Sequence, residues 1–191
     1  MSAIAVVILV AAAIVVIVLI AAIATNNRVV RVRNQVEESW RQVDVELVRR
    51  HDLIPNLVSV VKGYAAHEQS VLEAVATARA QAERPSASVD EQGADEARLT
   101  GDLVRLLALR EAYPDLKADQ QFLALQHQLS ETEDRIAAVR RFYNGNVRAL
   151  NNLVDSFPSG WFAQRAGIGR AEYFLTDEAD VRAAPIINPR L

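Results

Sequence analysis

The residues of this chain best suited to chemistry are three histidines, His51, His67 and His127, and a run of asparagines, Asn144, Asn146, Asn151 and Asn152. A di-iron helical site needs Glu three positions before His on each of two helices. Those positions hold Val48, Tyr64 and Ala124, so that pattern is missing. His67-Glu68 does not begin a zinc-binding His-Glu-x-x-His either, because Val71 stands where the second histidine belongs. No nucleophile elbow, phosphate loop or dinucleotide fingerprint is present. With no cysteine, disulfides and thiolate metal or redox chemistry are excluded. Carboxylate pairs such as Glu37–Glu38 and Glu131–Glu133 fit a solvated helical face. No catalytic residue, metal ligand or cofactor is therefore assigned.

Two polar constellations carry more information. Asn144 and Asn151 lie seven apart beside an apolar stripe, and asparagine is a mediocre helix former. One reading is a buried polar layer pairing with Gln35, Asp44 or Arg50, fixing register at a cost in stability; the other is a solvated face. The second is the stretch "RRHDLIPNLVSVVKGYAAHE", Arg49 to Glu68, where Pro55 interrupts an apolar helical pattern. Proline lacks an N–H and is tolerated in a first helical turn. The expectation is a tight reversal built by Arg49, Arg50, Asp52 and Pro55. The arginines suit the end of one helix, and Asp52 can accept from the free amides of the next. Leu47, Ile54 and Val61 nevertheless keep a seven-residue beat across the proline, so one long kinked helix is the alternative.

The elements around these residues are helical by composition and period. Ile4 to Ala24 is apolar throughout, and the first charged side chain is Arg28. About 20 such residues at ~1.5 Å each cross the ~30 Å hydrocarbon core of a bilayer. No Lys or Arg precedes the run, and it is longer than a signal-peptide core, which favours a retained anchor over a cleaved leader. Arg28, Arg31 and Arg33 follow it directly. Positive-inside bias then places the single-pass chain with its N-terminus out and its remainder in the cytoplasm. Only Asn26-Asn27 separate the anchor from the next helix, so the two can be continuous.

Beyond the anchor, spacings of three and four predict helices at about 28–50, 55–83, 96–112 and 119–157. Their stripes include Val29, Val36, Trp40, Val43 and Leu47, then Leu57 and Val61, then Leu99, Leu103 and Leu106, then Phe122 through Phe157. "RPSASVDEQGAD", Arg84 to Asp95, reads as the longest loop, and Pro114 marks a turn after which Asp115 or Asp119 can cap. The expected fold is all-α: an anchor at 1–27, an antiparallel up-down four-helix bundle at 28–160, and an irregular tail at 161–191. Phe162, Tyr173 and Phe174 suggest that parts of the tail dock. Trp40 and Trp161 read as core or docking anchors. A net charge of only −3 gives no electrostatic case for nucleic-acid binding.

The Arg49–Glu68 stretch resembles the signature of the LemA family of bacterial membrane proteins. "RNQVEESWRQVDVELVRRHDLIPNLV" resembles that family's first helix and turn, "LREAYPDLKADQQFLALQHQLSETEDRIAAVRRFYNGNV" its second block, and "FPSGWFAQRAGI" its C-terminal block. Gly167-Ile168, where the family tends to Gly-Phe, and Asp119, where it often has Asn, are mild departures. The resemblance implies one N-terminal anchor and a four-helix bundle, and no activity. Its magnetosome-associated relatives point to organising roles at membranes, and its gene neighbourhoods to membrane metalloproteases. The functional expectation is a non-enzymatic scaffold or adaptor that recruits protein partners at the cytoplasmic membrane. Its other partner is the bilayer, contacted through the N-terminal helix. The alternatives are self-assembly into a homo-oligomer that organises membrane, or regulation of a neighbouring protease.

Overall fold

A computed structural model describes residues 3–176. All regular structure among them is helical: α1 (Ala3–Tyr64), α2 (Gln69–Ala82), α3 (Val89–Ala108), a 3-10 turn (Leu109–Glu111), α4 (Pro114–Ala118), α5 (Gln120–Asp155) and α6 (Ser159–Arg165). The chain divides into two compact units. One is made of Met1–Ser39 and Gly145–Ala171, the other of Trp40–Asn144 and Glu172–Leu191.

The reversal expected at Arg49, Arg50, Asp52 and Pro55 does not occur. All four lie inside α1, which runs 62 residues with Pro55 in its interior. An internal proline strands the carbonyl four residues earlier, here that of His51. Arg79 supplies the missing donor: its Nε–H bonds the His51 carbonyl at 2.9 Å. The exposed flank of α1 accommodates the proline ring, while Ile54 and Leu57 on either side of it are buried. The chain instead reverses at residues 65–68, after Tyr64. A second correction concerns α3, which starts at Val89, inside the expected Arg84–Asp95 loop. Ser88 caps it, accepting from the Glu91 N–H at 3.1 Å, and the Glu91 carboxylate reaches back to the Ala87 N–H at 2.9 Å. That is a variant of the capping box, in which the carboxylate takes the N–H of the residue before the cap rather than that of the cap itself. A third concerns the tail, which begins with a helix, α6. Its end is a Schellman motif: Gly167 takes φ +67°, and Ile168 N–H reaches the Ala163 carbonyl at 2.9 Å. Residues 177–191 of the expected tail lie outside the described residues.

In the unit containing residues 40–144, α1, α2, α3, α4 and α5 share one core. Ile54, Leu57 and Val61 meet Leu72 and Val75, Leu99 and Leu106, Leu116, and Phe122 and Leu129. The final described segment also belongs here. Phe174 is fully buried, and Trp40 packs on it edge-on at 5.4 Å and on Tyr143 at 5.3 Å. The Leu175 carbonyl crosses α3 at Gly93, where a Cβ would lie only 2.3 Å from it, so no larger residue fits without displacing the segment.

In the other unit, buried apolar positions come from α1 (Val29, Val36), α5 (Val147, Leu150) and the α6 region (Ala163, Ile168). In the N-terminal part of α1, residues 8–21 are all exposed. It is long and apolar enough to cross a membrane, with a mean hydropathy of 3.2 over its most apolar window.

Candidate functional site

The strongest concentration of buried charge lies in the unit containing residues 40–144 and is centred on Arg50. This residue sits in phase with the apolar beat Val43, Leu47, Ile54, Leu57, so the helix carries its guanidinium inward. Only 2% of Arg50 is exposed. Its Nη2 pairs with Glu96 Oε2, and its Nη1 donates to Glu133 Oε1 and to Thr100 Oγ1, both at 3.0 Å. Its Nε is buried without a partner. Glu96 is just as deep, three residues before Leu99 on the inward stripe of α3. Its Oε1 receives His51 Nε2 at 3.0 Å and the Gln92 side-chain amide at 3.0 Å. Gln92 in turn donates to the Ala82 carbonyl, beside the end of α2.

His51 is buried within this network. Burial, reinforced by the positive charges of Arg50 and Arg79 and opposed by Asp52, lowers its pKa to about 4. The ring is therefore neutral near pH 7. A carboxylate only accepts, so the proton sits on Nε2, which donates to Glu96. Both Glu96 oxygens are thus occupied, and Arg50 is held between two carboxylates. A cleft of about 290 Å³ opens beside this cluster, lined by Arg50, Glu96, Thr100, Glu133, Arg140 and Phe174 among others. A second, of about 300 Å³, is lined in part by Asp44, His51, Asp52 and Gln92.

The chemistry of this set is that of a buried ion network joining α1, α2, α3 and α5. A general base must have an oxygen or nitrogen free to take a proton from a substrate, and here both oxygens of the deepest carboxylate already accept hydrogen bonds. Among the described residues, no three His, Cys, Asp or Glu are grouped to hold a metal. His67 lies exposed in the turn after α1, and His127 lies exposed on α5, 3.9 Å from Glu131.

Of the residues expected to form a turn, Arg50 alone enters the network. Arg49 is exposed and lies 3.4 Å from Glu46, and Asp52 and Pro55 are exposed on α1. The asparagines have a role other than the one expected. In one unit, Asn144 Oδ1 accepts the Phe174 N–H at 2.9 Å while its Nδ2 donates to the Phe174 carbonyl at 3.1 Å. In the other, Asn151 does the same for Ala171, at 2.8 and 3.0 Å. Each side-chain amide thus satisfies both polar groups of one backbone residue that has no helical or strand partner. Neither bonds Gln35, Asp44 or Arg50; it is Asn146 that reaches the Gln35 carbonyl, at 3.4 Å. Tyr143 adds a bond from its hydroxyl to the Glu172 carbonyl at 2.9 Å, and burial pushes its pKa up to about 12.

Sequence reasoning missed Glu96, Gln92 and Arg79. The signal for Glu96 was its phase, three and seven residues before Leu99 and Leu103; Arg79 gave none, because its partner is a backbone carbonyl 28 residues away.

Among the described residues the chain is all-helical with one long, exposed, apolar helix, which suggests a membrane-associated helical protein by class. The LemA family profile matches residues 39–188, and this chain belongs to the LemA family. It is 28% identical to Magnetosome protein MamQ of Magnetospirillum gryphiswaldense, over 86% of this chain and 69% of that protein. Magnetosome protein MamQ 1 of Paramagnetospirillum magneticum matches to the same extent. Protein LemA of Metamycoplasma hominis is 24% identical, over 83% of this chain and 72% of its own length.

Proposed function

We propose that this protein is a non-enzymatic, membrane-anchored scaffold or adaptor. The observation that carries the reading is the continuity of α1. A single 62-residue helix begins with an exposed apolar span and ends in the buried positions Ile54, Leu57 and Val61. Such a helix carries both an apolar span suited to lipid and side chains that belong to a folded helical core. The remainder of that core is read as an up-down four-helix bundle, supported by the apolar cluster that the main helices share. The closed Arg50 network supports a structural rather than catalytic role for the most deeply buried charges. Arg28, Arg31 and Arg33, directly after the span, favour a cytoplasmic location for everything beyond it.

Candidate recruiting surfaces are the apolar side chains left exposed on the folded core: Val48 on α1, Val104 on α3, and Leu123 and Phe142 on α5. Photo-crosslinking residues placed at these four positions in living cells test the reading. The expected result is a discrete adduct to another protein from one face and none from the others. Adducts only between copies of this chain would replace recruitment with self-assembly. No adduct at any of the four positions would count against a scaffold.

A further inference from the structure

We propose that the α5–α6 corner, Phe157 to Arg165, is seated in the headgroup layer of the bilayer that α1 enters. The proposal rests on the membrane anchoring argued above and adds a second point of lipid contact. Phe157 is 93% exposed and Trp161 56% exposed, in a corner that is otherwise closely fitted. Gly160 lies so near the Val154 carbonyl that a Cβ would stand 2.4 Å from its oxygen. The Gly160 N–H and the Ser159 hydroxyl both bond the Ser156 carbonyl, at 2.6 and 3.0 Å. Ser159 and Ala163 are buried beneath. The backbone is thus fixed while two large aromatics are turned outward.

Their position supplies the occupant. A cavity of about 530 Å³ is lined on one side by Thr25, Arg28 and Val32 of α1 and on the other by Phe157, Pro158 and Ser159. The corner therefore lies beside the first turns of α1 after the apolar run. Arg28 is four residues past Ala24, about 6 Å along the helix. The headgroup layer on each face of a bilayer is about 5–8 Å deep. A corner at that level lies in the zone where tryptophan and tyrosine concentrate, with an apolar ring toward the chains and a polar edge toward water. Trp161 is equipped for it: Phe162 packs edge-on at 4.9 Å, and the Arg165 guanidinium lies 5.8 Å from the ring centre. The charge of the surrounding unit agrees. Six arginines face three carboxylates there, although the whole chain is net −3. That local excess suits an anionic lipid surface.

The test uses the full chain with Trp40→Phe, leaving Trp161 as the sole tryptophan, reconstituted into vesicles containing anionic lipid. Flotation is measured first, then quenching of Trp161 by lipids brominated near the headgroup and by aqueous iodide. The expected result is co-flotation, a blue-shifted emission, loss of that emission with brominated lipid, and shielding from iodide. Co-flotation with Trp161 open to iodide and unquenched by lipid overturns this inference and leaves the anchor standing. Shielding from iodide without lipid quenching also overturns it, because a protein surface would then cover the corner. Failure to co-float sinks the anchor reading and this inference together. Should Trp40→Phe not fold, Phe157→Cys in the otherwise cysteine-free chain carries a fluorescent label through the same measurements.

Discussion

The Arg50 network and the Phe157–Trp161 corner are opposite solutions for side chains that do not fit their surroundings. At Arg50, charges that belong in water have been taken inside, and nearly every donor and acceptor has been matched. At the corner, rings that belong inside have been left out, and nothing among the described residues covers them. The first arrangement is nearly complete within the protein, with only the Arg50 Nε left over among its described partners. The second is complete only with something added. That contrast separates what the fold needs for itself from what it offers to its environment.

Four experiments test the contrast, in descending order of effect. Arg50→Ala leaves Glu96 buried beside a void and without its cation. Breaking a buried pair on one side costs about 3–5 kcal/mol, read by denaturant unfolding of the detergent-solubilised chain. Replacing both partners, Arg50→Met with Glu96→Leu, is expected to recover only part of that loss, because His51 and Gln92 then lose their acceptor. A single substitution that costs nothing would show that the network is incidental to the fold.

Arg79→Met frees the His51 carbonyl. A buried acceptor left unsatisfied costs about 1–3 kcal/mol. Pro55→Ala restores an N–H to the helix, so the same Arg79→Met change in that background is expected to cost clearly less. Equal costs in both backgrounds would mean that Arg79 does not compensate for the proline. Arg79 also pairs with Glu83 at 2.6 Å, and that contribution is common to both backgrounds and cancels in the cycle.

The histidine adds a pH dependence. The His51 pKa falls from its usual 6.5 to about 4 in the folded chain, so between those values the unfolded chain binds more protons. Stability is therefore present in full above about pH 6.5 and declines as pH falls toward 4, with a slope of at most about 1 kcal/mol per pH unit. His51→Gln is expected to remove that slope while keeping a side-chain N–H for Glu96. A slope that persists would assign the dependence to another group. Last and smallest, Phe157→Ser is expected to change stability in detergent by no more than about 0.5 kcal/mol. A larger loss would move Phe157 from the second class of residue to the first.

The sequence carried the apolar phase of the helices because burial writes itself into spacing. Leu47, Ile54 and Val61 kept their seven-residue beat across Pro55, and the continuous helix follows that beat rather than the proline. The proline misled because its cost was counted within the helix alone, whereas its compensation comes from Arg79 on another helix. Ser88 and Glu91 stood in plain view as a capping box, hidden by Pro85 and Gly93 on either side. Asn144 and Asn151 were legible as unusual and not legible in role, since their partners lie in a segment without a period. Glu96 could have been found by asking which charges share phase with the leucines.

In the function proposed above, an apolar span at the start of α1 fixes this helical protein to the cytoplasmic face of a membrane. Because the chain has no native cysteine, Val104→Cys gives a single reporter on the folded core. Cells carrying it are treated with a membrane-impermeant maleimide before or after lysis, and membranes are washed at alkaline pH. The chain is expected to stay with the washed membranes and to be labelled only after lysis. Release into the wash, or labelling of intact cells, would contradict it.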